Sequence, residues 1–193
     1  MRRLLVVKVG GALAAIEGAL PRAGTAIARL AATRPVLVVP GGGPFADQVR
    51  AVQHRLGVSD DAAHWMAILA MDQYAHVLTE RIPGATLVER YGEIGGAVGR
   101  GFAAVLAPHR WLRDADTLPR GWDVTSDSIA AFIAGALDAE RLLLVKAVPG
   151  ELEAVADRAL RRVAPHDLPI EVVGLERLAT WHDGGAEAPH RQG

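Results

Sequence analysis

Five short apolar runs, at 4–9, 36–39, 103–107, 142–148 and 170–173, consist mostly of β-branched residues and leucine and show no clean in–out alternation. Runs of that kind suit strands of a parallel sheet covered on both faces, where neither face calls for a polar side chain. Between them, residues 22–33, 44–56, 60–81, 128–138 and 151–163 place apolar side chains at helical spacing. Strands alternating with helices predict an α/β protein, a three-layer αβα sandwich with a largely parallel open sheet. The 193 residues, half of them apolar, are enough for one well-buried domain, expected over 1–183, with 184–193 reading as a disordered tail.

Boundary residues agree with the period. Pro44 suits the first position of a helix, Gly57 can end that helix, and Ser59 can cap the next. The stretch 108–123 is polar, contains proline and both charges, and reads as a long functional loop or lid, with Trp111 and Trp122 bracketing its part 112–121.

Charge narrows the partner classes. With 21 Lys+Arg against 22 Asp+Glu, no basic excess exists to hold nucleic acid or an anionic membrane, and neither is expected as a partner. The sequence contains no cysteine, which removes disulfides and thiolate chemistry and fits a reducing, cytoplasmic setting. No signal-peptide pattern and no span of membrane length are read from the sequence. The histidines lack paired metal-ligand spacing, so no protein metal site is expected.

Ligands of open α/β sheets collect beyond the carboxyl ends of the strands, and three such places carry chemistry. Lys8-Val9-Gly10-Gly11 closes the first run with a cation and two residues without side chains, the outline of a phosphate cradle or of a plain turn. Pro40-Gly41-Gly42-Gly43-Pro44 runs from a strand into a helix start, where unpaired amides favour an anion. Asp123, Thr125, Ser126, Asp127 and Ser128 precede an apolar helix and offer more polar acceptors than one helix cap can use. The sequence carries neither GxxxxGK[ST] nor GxGxxG at these turns, which argues against a P-loop or a dinucleotide fingerprint.

In this order, and over residues 4 to about 173, these motifs resemble the amino acid kinase family. The resemblance implies an ATP- and Mg2+-dependent phosphotransferase. Lys8 would stabilise the phosphoryl group in flight and Asp127 would organise the lysines. Gly10, Gly11 and Ser126 would meet nucleotide phosphates, and Gly41, Gly42 and Gly43 would cradle the acceptor. Lys146, in Leu143-Leu-Val-Lys146-Ala-Val-Pro-Gly150, stands where the family has a Thr-Asp-Val-Asp-Gly-like turn, and would supply a second cation or stack beside the nucleotide, without the usual carboxylates. Pro40-Gly-Gly-Gly-Pro-Phe-Ala-Asp-Gln-Val-Arg50 and Trp122-Asp-Val-Thr-Ser-Asp-Ser128 are most similar to a small branch of the family. That branch phosphorylates an aminomethyl-furanmethyl phosphate in methanofuran or methylofuran synthesis, so a small phosphate monoester is the implied substrate.

Around the acceptor, Arg50 is expected to face a phosphate and Asp47 a cationic amine, with Asp123 nearby. The apolar breadth of 60–81, including Trp65, Ile68, Leu69 and Met71, points to packing and to a homo-oligomer. Two alternatives stay open: a kinase for a carboxylate or nucleoside monophosphate, and a non-catalytic subunit that keeps the fold.

Overall fold

The computed structural model describes residues 3–115, 118–119 and 121–182; the expected tail at 184–193 lies outside them. Strand β1, Leu5–Val9, has β2, Val36–Pro40, on one side and β5, Arg141–Val145, on the other. Beyond β2 come β4, Ala104–Leu106, and then β3, Thr86–Val88, while β6, Ile170–Val173, lies outside β5. The order is β3-β4-β2-β1-β5-β6 and every pairing among the described residues is parallel, as the solid apolar runs require.

All five residues of β1 are buried, and their alternation divides the interior into two cores. Leu5, Val7 and Val9 join helix α1, Ala19–Ala31, part of α3, Asp60–Arg81, and α9, Leu175–Thr180. Val6 joins α4, Tyr91–Val98, α6, Ser126–Ala136, and the earlier part of α3. Helix α3 serves both cores, with Ile68 and Met71 in one and Tyr74 and Leu78 in the other, which explains its apolar breadth. Lys8 shares the face of Val6 by the period of two, and that face is the one α6 covers.

The boundary chemistry holds in detail. Helix α2, Gly43–Leu56, has Pro44 in its first turn and ends on Gly57 at φ 66°, and the Ser59 side chain accepts from the Ala62 amide at 3.2 Å. Three expectations are corrected. The stretch 108–123 is not loop throughout: α5, His109–Ala115, buries Leu112, and the Asp72 carboxylate accepts the His109 amide at 3.0 Å. The chain from 86 to 98 carries β3 and α4, which the sequence pattern passed over because β3 has three residues and α4 includes Gly92, Gly95 and Gly96. The single helix expected over 151–163 is two short ones, α7, Leu152–Val155, and α8, Leu160–Val163.

Candidate active site

Strand order reverses at β1, because the chain first builds outward through β2 and later returns to place β5 on the opposite side. A crevice forms beyond the carboxyl ends of strands at such a reversal. Here it is a cavity of about 410 Å3, lined among others by Lys8, Gly11, Gly43, Ser126, Asp127 and Lys146.

Its floor is a buried ion triad. Lys8 Nζ lies 2.8 Å from Asp127 Oδ1, and Lys146 Nζ lies 2.5 Å from Asp127 Oδ2. The Lys8 and Asp127 side chains are only 5% and 4% exposed and that of Lys146 17%, so water screens this group poorly. Sheet and helix set the positions: Lys8 stands in the register of Val39 and Leu144, and Asp127 occupies the first turn of α6, where the helix dipole favours a carboxylate. Burial pulls the Lys8 ammonium below its ordinary 10.5; Asp127 opposes that shift and Lys146 reinforces it. Burial would push the Asp127 carboxyl up, but the charges of Lys8 and Lys146 outweigh it and hold the group below 3.8. Two ammonium groups thus share the Asp127 carboxylate beside the cavity, and the charge of the Asp157 carboxylate also acts on Lys8. Poorly screened ammonium groups at a cavity wall favour an anion there.

The two glycine turns are pressed against each other. A Cβ on Gly11 would come within 2.5 Å of the Gly43 nitrogen, and one on Gly41 within 2.8 Å of the Gly11 nitrogen. Gly43 has φ 55°, a left-handed conformation that favours glycine. The Gly10 amide donates to Val145 O at 2.9 Å and the Gly41 amide to Val9 O at 2.8 Å, so both amides extend the sheet's hydrogen bonding. Gly11, Gly42 and Gly43 do line the cavity. Gly11 opens a 3₁₀ turn, Gly11–Ala15, and Gly43 opens α2, positions whose amides have no partner within the helix.

Asp157, absent from the residues singled out in the sequence, organises the neighbourhood. Its two carboxylate oxygens accept from the Thr125 amide and hydroxyl, the Ser128 amide and hydroxyl, and the Ala159 and Leu160 amides. It thereby caps α6 and α8 together, and it lies where the helix expected over 151–163 breaks into α7 and α8. The same segment supplies Val155 O, which accepts from Lys146 Nζ at 3.0 Å. An aspartate followed by Arg-Ala-Leu inside a supposed helix is a capping signal, and it was the clue available.

The remaining expected residues divide. Ser126 and Arg50 line the cavity. Asp47 also lines it, with Oδ1 accepting from Arg50 Nη1 at 2.8 Å, so that oxygen is already engaged. Asp123 is exposed and is not among the residues lining the cavity. Trp111 packs on Tyr91 and Phe132, with centroids 5.4 and 6.5 Å away, and anchors α5. Among the described residues no three of His, Asp or Glu gather in a way that could hold a metal ion.

An α/β fold with a switch-point cavity over buried lysines defines a class that handles anionic ligands. More narrowly, the chain belongs to the amino acid kinase family, whose model matches residues 3–159. It is 28% identical over 145 residues to the [5-(aminomethyl)furan-3-yl]methyl phosphate kinase of Methanocaldococcus jannaschii, covering 75% of this chain and 66% of that protein. The chain thus spans slightly less than two thirds of that relative. Among solved structures it is similar to UMP kinase of Bacillus anthracis, with a TM-score of 0.66 at 15% identity over 93% of this chain and 92% of the other. Uridylate kinase of Archaeoglobus fulgidus superposes with a TM-score of 0.59 at 20% identity, over 81% and 69% of the two chains. These structures share the fold.

Proposed function

We propose that the protein transfers the terminal phosphoryl group of ATP to a small phosphate monoester, with [5-(aminomethyl)furan-3-yl]methyl phosphate as the acceptor. The observation that carries the reading is the buried Lys8–Asp127–Lys146 triad, which sets two ammonium groups beside a cavity walled by glycine turns. Phosphoryl transfer needs positioning and charge neutralisation more than covalent catalysis. An oxygen of the acceptor phosphate bonds to the terminal phosphorus as the bond to the bridging oxygen of ADP breaks, giving ADP and a diphosphate. Lys8 neutralises the phosphoryl group between the two oxygens, Lys146 and the Gly11 amide meet the nucleotide side, and Gly42, Gly43 and Arg50 hold the acceptor. Asp127 keeps both ammonium groups aimed at the cavity.

Both Asp127 oxygens are engaged by lysines. Mg2+ would enter with the nucleotide and screen the charge of its phosphates. The particular acceptor rests on the Methanocaldococcus relative, and a nucleoside monophosphate is the competing acceptor suggested by the fold neighbours. The complete triad speaks against a purely non-catalytic role.

The test is ADP release by purified protein with Mg-ATP and the furan monoester, beside acceptor-free and Lys8→Ala controls. Acceptor-dependent ADP that disappears in Lys8→Ala is the expected result. Equal release in the variant removes Lys8 from the mechanism.

A further inference from the structure

Beside Arg50 a second, smaller cavity of about 60 Å3 adjoins the first. The two share Gly42, Ala46, Arg50, Thr125 and Ser126, so they meet along one rim. Past that rim the walls are mainly carbon: Ala67, Ile68 and Met71 of α3, Ile129 of α6 and the side chain of Trp122, with His64 the polar exception. Among the described residues no lysine and no carboxylate lines this niche, and its one cation, Arg50, stands at the shared rim. A phosphate is therefore favoured in the large cavity beside the lysines, and an uncharged group in the niche.

The Trp122 wall is fixed from two sides. Its Nε1 donates to Gln53 Oε1 at 2.6 Å, and Gln53 Nε2 in turn donates to Asp60 Oδ1 at 2.8 Å. The Arg50 guanidinium carbon lies 4.7 Å from the centroid of the ring, within the range of a cation–π contact. Arg50 also pairs with Asp47, which places its fork between the phosphate region and the aromatic wall.

We propose that this niche receives the acceptor's ring and works as a size filter, admitting a flat five-membered ring on a methylene phosphate and excluding a nucleoside monophosphate. The proposal rests on the kinase reading for the identity of the site. Volume decides between the candidates. An apolar cavity on the order of 150 Å3 accommodates benzene, and the niche, at about 60 Å3, is smaller. A five-membered ring enters if the flexible Met71 side chain yields. A ribose bearing a base also has to displace Trp122 and break its bond to Gln53. Trp122 and Met71 are thus the residues that set the limit.

Calorimetric binding without ATP tests this separately from catalysis, using furan-3-ylmethyl phosphate, UMP and inorganic phosphate as probes. The furan monoester is expected to bind the wild-type protein about tenfold or more tightly than either of the others, the scale of one well-filled apolar subsite. Ala67→Leu, which fills the niche with a good helix former, should bring the furan monoester down to the affinity of inorganic phosphate. Met71→Ala, which enlarges it, should narrow the gap between UMP and the furan monoester. UMP binding as tightly as the furan monoester to the wild type overturns the filter, as does an undiminished furan preference in a folded Ala67→Leu protein. Failure of the kinase reading has a different signature: ring-selective binding without ADP release.

Discussion

Lys8 and Lys146 meet the same carboxylate from supports of different kinds. Lys8 stands inside the central strand, with β2 and β5 fixing its backbone on both sides and α6 closing over its side chain. Lys146 follows the end of β5; its amide is tied to Val173 O and its ammonium to Val155 O, in a segment that is itself held to α6 by Asp157. The sheet guarantees one cation, whereas the other depends on side-chain hydrogen bonds between distant parts of the chain. The difference separates an element that resists mutation nearby from one that a single substitution can release.

The largest effect is expected at the shared partner. Asp127→Asn would leave two ammonium groups, one almost wholly buried, without their counter-charge. Breaking a buried pair in this way costs about 3–5 kcal/mol. Urea unfolding should therefore show a clear fall in midpoint, with ADP release lost in the folded fraction. An unchanged midpoint would mean that Asp127 does not balance these lysines.

The lysines themselves then sharpen the contrast. Lys8→Met is expected to lower turnover by about 10³, the scale of losing a preorganised charge at the developing transition state. Its stability should stay near that of the wild type, because Asp127 keeps Lys146 and a buried ammonium is gone. Lys146→Met should cost less, about 10- to 100-fold, if the nucleotide side is shared with backbone amides. Single-turnover kinetics distinguish the two, and equal losses would erase the proposed asymmetry.

Asp157 tests the weaker support, and it also shows what the sequence withheld. Asp157→Asn keeps the shape but turns an amide NH2 toward donors that now meet a carboxylate oxygen, leaving buried groups unpaired at about 1–3 kcal/mol. Lys146-dependent turnover should fall with it, while Asp157→Asn combined with Lys146→Met should lose less than the sum of the two. Additive losses would show that the clamp does not act through Lys146.

Lys8, the two glycine turns and Asp127 could be read from the chain because each is local: a strand end, a turn, a helix start. The parallel sheet was legible for the same reason, from solid apolar runs. Asp157 was not, since its value lies in donors from Thr125 and Ser128, about thirty positions earlier. A glycine signals close approach without saying to what, and at Gly10 and Gly41 the near neighbours are backbone atoms. The niche behind Arg50 was equally invisible, because α2, α3 and the residues before α6 form its walls only once packed.

The smallest expected effect is a pH dependence that distinguishes the buried lysine. With its pKa lowered below 10.5, Lys8 loses its proton in the folded protein before it does in the unfolded chain. Between the lowered value and 10.5 the unfolded state holds more protons, so this group's contribution to stability rises with pH. Turnover moves the opposite way, because the neutral amine no longer balances the phosphoryl charge. Asp127 has the ordinary acid-side sign: its contribution is complete above 3.8 and is lost as pH falls through its depressed folded value. Urea midpoints and single-turnover rates measured across alkaline pH should thus diverge in the wild type, with activity falling below pH 10.5 while this contribution grows. In Lys8→Met the alkaline rise in stability should vanish. A wild-type rise that persists unchanged in that variant would place the titrating group elsewhere and remove the main physical distinction between the two lysines.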